Sequence, residues 1–219
     1  DSLMKDCTAL TDVTIPEGVG AIGSRAFSSC TALTGIVLPG SVTDLGGQSG
    51  AVFQNCGSLV EICIPEHVTA ICPETFSGCA SLTRIELPEG LTSIGESAFA
   101  GCESLLSIRI PEGISQIPDS AFQNCAALKS VSLPESLIRI GNRAFYHCKK
   151  LNGIRIPDMV EGIGSCAFEG CEGLEGAALP AKITVIENNT FQGCTGLWEI
   201  VLPANTVSIG DCAFMGCTA

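Results

Sequence analysis

Aromatic side chains are scarce in this 219-residue chain. They make up 5% of it, with one Trp and one Tyr, so any core must be filled mainly by aliphatic groups. Cations are scarce too: 11 Lys and Arg stand against 23 Asp and Glu. The resulting net charge of −12 argues against a nucleic-acid partner, because phosphate binding needs a basic stripe. No run of 18 apolar residues occurs, so no segment reads as a membrane span. Only His67 and His147 could serve a Cys–His nucleophile, and both sit at turn positions of a repeat. There is no Cys-x-x-Cys pair, no Gly-x-Ser-x-Gly elbow, no Walker loop and no dinucleotide fingerprint. The sequence therefore predicts no enzyme, no catalytic residue, no metal and no cofactor.

What is present is repetition. All nine phenylalanines occupy one frame, seen in "SRAFSSCTAL", "SAFAGCESL" and "RAFYHCKKL". Prolines 16, 39, 65, 88, 111, 134, 157, 180 and 203 follow one another at 23 residues, except for a step of 26 between Pro39 and Pro65. A fixed period of this length, with Leu-x-x-Ile-x-Ile inside it, marks a leucine-rich-repeat solenoid. In "LTRIELPEGLTSIGESAFAGCES" (82–104), Leu82, Ile85 and Leu87 read as a strand that proline ends, since proline offers no N–H to the ladder. Leu91 and Ile94 supply a second extended pair, Gly95 turns the chain, and "ESAFAGC" reads as a short helical turn. Two residues after each Phe stand Ser29, Asn55, Gly78, Gly101, Asn124, His147, Gly170, Gly193 and Gly216, the choices a left-handed residue requires. One coil cannot bury its own apolar face, so stacking must build the core. The fold class expected is α/β: a right-handed solenoid, or horseshoe, of about nine 23-residue coils, with parallel strands and short helical turns. Residues 1–219 read as one such domain, cut from a longer array without caps.

The pattern L-x-x-I-x-I-P…V-x-x-I-G-x-x-A-F-x-x-C resembles the BspA-type, or Treponema pallidum-type, leucine-rich repeat, and the resemblance covers essentially the whole chain. Cys72, Pro118 and Glu187 depart from it at the turn Gly, and Val52, Thr75 and Thr190 at the Ala before Phe. The resemblance implies a secreted or cell-surface protein that adheres to a host or other surface protein, with no catalytic motif to transfer.

Ten of the 14 cysteines (Cys7, Cys30, Cys56, Cys79, Cys102, Cys125, Cys148, Cys171, Cys194 and Cys217) fall in one column, where they read as unpaired buried thiols doing one packing job in every coil. Glu66, Glu89, Glu112, Glu135 and Asp158 follow successive prolines and form an acidic edge, read as solvated, with calcium bridging as the alternative. The three extra residues of the irregular unit fall among Gly46, Gly47, Gln48, Ser49 and Gly50, and predict a flexible bulge.

Side chains two and four residues before each proline point away from the core of a strand. These positions vary from coil to coil and gather Arg84, Glu86, Arg109 and Arg155, a patch suited to an acidic protein partner. Trp198 begins the last strand and extends the candidate site. The function expected is a non-catalytic protein-binding or adhesion surface outside a bacterial cell. The alternative is a structural protein that self-associates end to end, suggested by "CTA" at both 7–9 and 217–219.

Overall fold

The computed structural model describes residues 2–47 and 49–219; Gln48, expected in the bulge, lies outside them. Each coil lays down two short strands and one long turn. Strands before the prolines form the first row: Gly35–Ile36, Glu61–Cys63, Arg84–Glu86, Ser107–Arg109, Ser130–Ser132, Gly176–Ala178 and Glu199–Val201. Single bridges place Thr14 beside Val37 and Gly153 beside Ser130 in the same row. The second row runs Ala21–Ile22, Asp44–Leu45, Ala70–Ile71, Ser93–Ile94, Gln116–Ile117, Arg139–Ile140, Gly162–Ile163, Val185–Ile186 and Ser208–Ile209. All pairings are parallel and keep residues of the same repeat position opposite one another, as in Ile62 with Ile85 and Ile140 with Ile163.

The nine second-row strands are separated by eight steps, so the solenoid closes about eight turns rather than nine. The chain between the two rows turns tightly at proline, whose carbonyl accepts the N–H three residues on, as Pro88 does from Leu91 at 3.0 Å. Strand residues alternate exposed, buried, exposed, which puts Ile85, Ile108 and Val131 inside. Of the inward set read from 82–104, Leu82, Ile85, Leu91, Ile94, Ala98, Phe99 and Cys102 are buried, and Leu87 is half-buried. The phenylalanines stack ring on ring from Phe27 to Phe214, with centroids 5.3–5.7 Å apart.

The helical turn is a correction: no helix occurs among the described residues, and the chain is a β-solenoid rather than α/β. The reason is a second left-handed residue in each coil, two before Phe, paired with the expected one two after it. In the coil of Phe99 these are Ser97 (φ 53°) and Gly101 (73°); in the next they are Ser120 (57°) and Asn124 (60°). The backbone then directs its hydrogen bonds in two ways. Ser97, Phe99 and Gly101 donate N–H to Asp119, Ala121 and Gln123 of the following coil, at 3.1, 2.9 and 2.7 Å. Ala98, Ala100 and Cys102 donate to the carbonyl three residues back, at 3.1–3.3 Å. A helix would have kept all six within the coil.

The first left-handed column holds Arg25, Ala51, Glu74, Ser97, Ser120, Arg143, Cys166, Asn189 and Cys212, side chains that rarely take this conformation. Ser120→Gly should therefore leave stability unchanged or raise it by up to about 1 kcal/mol, because relief of the left-handed penalty exceeds glycine's entropy cost. Ser120→Val, branched at Cβ, should lower it by roughly 1–2 kcal/mol. Urea unfolding of the two variants tests this, and equal midpoints would show the position to be unstrained.

The described residues of the 26-residue unit are joined to their surroundings by hydrogen bonds. Gly50 donates N–H to the Gly46 carbonyl at 2.9 Å, Gly47 donates to Asp44 Oδ1 at 2.9 Å, and Cys72 Sγ–H reaches the Gly47 carbonyl at 2.8 Å. A side chain at Gly50 would meet the Pro73 carbonyl at 2.0 Å, so glycine is required there by the close approach.

Candidate binding surface

Arg84, Glu86 and Arg109 lie on strands of the first row; Arg155 stands at the same repeat position two residues beyond the Gly153 bridge, and Trp198 lies one residue outside its strand. Arg84 and Glu86 sit two apart on Arg84–Glu86 and share its exposed face, where they form an ion pair with each other. Arg109 and Arg155 occupy the position two before proline, separated by the rung of Ser132. Each turns to the acidic edge: Arg109 pairs with Glu89 and Arg155 with Glu135, in both cases a carboxylate 20 residues earlier in the chain. All three arginines remain 60–76% exposed, so these pairs orient the guanidinium groups more than they stabilise the fold. The acidic edge is thus partly neutralised by its own chain. Glu112 turns another way, accepting the Glu135 N–H at 3.1 Å.

Two shallow troughs follow the row. One, of about 440 Å³, is lined by Arg109 and Arg155 with Ser107, Ser130 and Ser132 between them. The other, of about 610 Å³, brings Arg84 and Glu86 together with Asp12, Glu61, Val37 and Cys63. The predicted patch is therefore split: Arg84 and Glu86 belong to a mixed, largely acidic trough, and Arg109 and Arg155 to one with no carboxylate in its lining. Trp198 lines neither; it is 65% exposed, and its backbone N–H donates to the Glu175 carbonyl at 3.1 Å. The serines and the Arg-to-Glu pairing were not singled out from sequence. The recurring offset of 20 residues between a post-proline acid and the Arg of the next strand was the available signal for the pairing.

Behind this face lies the thiol column. Cys30, Cys56, Cys79, Cys102, Cys125, Cys148, Cys171 and Cys194 are fully buried. From Cys56 to Cys194 each Sγ–H donates to a phenylalanine carbonyl of the preceding coil, at 3.1–3.3 Å. The column thus does more than pack: a thiol is small enough for the site and still satisfies the second lone pair of that carbonyl, which an alanine would leave empty. Burial first, and neighbouring thiols second, push the Cys56 and Cys194 thiols up to about 12. No group of three or more His, Cys, Asp or Glu side chains able to hold a metal occurs among the described residues, and no described helix is long and apolar enough to cross a membrane.

Parallel strands stacked at a 23-residue period, an aliphatic core and one exposed strand face define a leucine-rich-repeat solenoid. The chain belongs to the BspA type of that class: the family model for the BspA type leucine rich repeat region matches in six copies, over residues 1–129, 49–175 and 115–219. It is similar to the crystal structure of the T. pallidum leucine rich repeat protein, with 34% identity, a TM-score of 0.70, and coverage of 73% of this chain and 77% of that one. A leucine rich cell surface protein from Faecalibacterium prausnitzii A2-165 is 29% identical, with a TM-score of 0.72 over 95% of this chain and 67% of that one. The pneumococcal vaccine antigen PcpA shares the fold alone, at 17% identity and a TM-score of 0.52 over 91% of this chain and 56% of that one. No curated protein sequence matches the chain.

Proposed function

We propose that this chain is a non-catalytic, protein-binding scaffold at a bacterial cell surface, which adheres to a host or other surface protein through the exposed face of its first strand row. The observation that carries this reading is a contrast within each coil. Inward positions repeat Ile, Leu, Phe and Cys almost unchanged, whereas the exposed position two before proline changes at every rung, from Val37 and Cys63 through Glu86, Arg109 and Ser132 to Ala178 and Val201. Packing explains the first set and not the second. Exposed arginines on such a face are frequent anchors of protein interfaces, and the cell-surface description of the F. prausnitzii relative supports the setting.

The test is a triple variant, Arg84, Arg109 and Arg155 each to Ser, measured against a panel of purified host and bacterial surface proteins. A ligand of the unaltered chain should be lost. Stability should change by no more than about 1 kcal/mol per pair, because these ion pairs lie in solvent. Undiminished binding would place the interface on another side of the coil.

A further inference from the structure

We infer that the trough between Arg109 and Arg155 is a carboxylate-binding slot, which receives acidic side chains from an extended protein segment. This rests on the strand-face reading above and names the chemistry of one part of it. The chain carries a net charge of −12, yet the lining of this trough contains two arginines, three serines and no acid. Ser107, Ser130 and Ser132 are exposed, and among the described residues their hydroxyls make no hydrogen bond. Each guanidinium commits an Nη1 donor to Glu89 or Glu135 and retains further N–H groups for a ligand. Every unspent polar side-chain group of the slot can therefore donate a hydrogen bond. The Glu pairing also draws both arginines the same way, each toward a carboxylate 20 residues earlier, so both guanidinium groups face the same edge before any ligand arrives.

The spacing favours a peptide. Two coil steps of the solenoid, at the spacing of parallel strands, separate the arginines by about 10 Å. That matches one turn of a polyproline II segment, three residues at about 3.1 Å each, so acidic residues at positions i and i+3 stand on one side of the peptide and reach the two arginines while the serines meet its free backbone carbonyls. The surroundings disfavour a polyanion. Glu89, Glu112 and Glu135 border the slot along the post-proline edge, and the neighbouring trough holds Asp12, Glu61 and Glu86. A sulfated polysaccharide would lay charge along these acids. A peptide with two carboxylates and flanking lysines would instead meet each sign with its opposite.

The probe is a synthetic peptide with Glu at i and i+3 and lysines outside them, titrated calorimetrically at low salt into the full chain. A peptide with Gln at both positions is the control, and heparin is the polyanion arm. The Glu peptide should bind at least tenfold more tightly than the Gln peptide. Arg109→Ser with Arg155→Ser should remove that difference, Ser130→Ala with Ser132→Ala should weaken it several-fold, and Arg139→Ser, on the second strand row, should leave it intact. Thermal melts of each variant establish that it is folded.

If Ala178→Arg with Val201→Arg abolishes peptide binding but the Arg109 and Arg155 changes do not, the strand face stands and the slot is overturned. Binding that no strand-face variant disturbs overturns both. Equal binding of the Gln peptide, or tighter binding of heparin at the same residues, also overturns the slot.

Discussion

Phe122→Ala is expected to lower the stability of the solenoid by roughly 3–5 kcal/mol, at the upper end for single core truncations. The ring is fully buried and lies between Phe99 and Phe145, with centroids 5.3 and 5.4 Å away and planes within 5° of parallel. Its loss removes transfer free energy and two stacking contacts together. The cavity has little means of collapsing. The N–H of Phe99 is bonded to the Ala121 carbonyl at 2.9 Å and that of Phe122 to the Ala144 carbonyl at 2.8 Å, so backbone bonds hold the coils at their rung spacing whatever fills the column. Phe214→Ala supplies the control. That ring touches only Phe191 in the stack and is half-buried, so its removal should cost distinctly less. Urea unfolding of both variants measures the difference. A change under about 1 kcal/mol at Phe122 would mean that the ring column is not a principal source of stability.

The columns that such substitutions probe were legible because each reports burial, and burial demands the same residue type at every rung. Ile85 and Ile108, Phe99 and Phe122, and Cys102 and Cys125 declare their inward positions by repetition alone. The left-handed residue two after Phe was legible for a related reason: Gly101, Asn124 and His147 are drawn from the few residues that tolerate positive φ. Its counterpart two before Phe was not legible. Arg25, Glu74, Ser97 and Cys166 occupy the same conformation, with no restriction of residue type to betray it. Inter-coil hydrogen bonds impose the conformation there, and a local reading of "ESAFAGC" cannot see them, so it settles on a helix. At the turn residue Gly95 the reason for glycine was not legible: a Cβ there would stand 2.3 Å from the Pro73 nitrogen of the preceding coil. The strand face was legible as a set of exposed positions. Its division into two troughs was not, because which carboxylate each arginine turns toward depends on neighbours one coil away.

The thiol column leads to the largest expected effect, a cooperative alkaline unfolding. Cys56, Cys79, Cys102, Cys148, Cys171 and Cys194 are fully buried, and desolvation raises all six thiols, to about 12 at Cys56 and Cys194. Neighbouring thiols add to the rise, since each rung's thiolate would face another. The unfolded chain releases these protons near the ordinary thiol value of 9.0, whereas the native chain retains them. The unfolded state therefore binds fewer protons above that value, and stability falls as pH rises. The contribution is complete below about pH 9 and is lost progressively as pH climbs toward the raised native values. Each thiol costs rather more than 1 kcal/mol per pH unit, so six together cost about 8 kcal/mol per unit. A fold of ordinary stability, about 5–15 kcal/mol, should then unfold within roughly two pH units above 9. Circular dichroism across pH 8–11 should show one steep transition. Urea unfolding of Cys79→Ala with Cys148→Ala should show the slope of stability against pH reduced by about a third, a readout independent of any cavity those changes leave at neutral pH. Thiol titration completes the test: few groups should react in the native chain, where Cys7, Cys63 and Cys212 are the exposed ones, and at least ten after unfolding. Structure that persists unchanged at pH 11, an unaltered slope in the double variant, or disulfides found along the column would each show that these cysteines are not a stack of protonated, buried thiols.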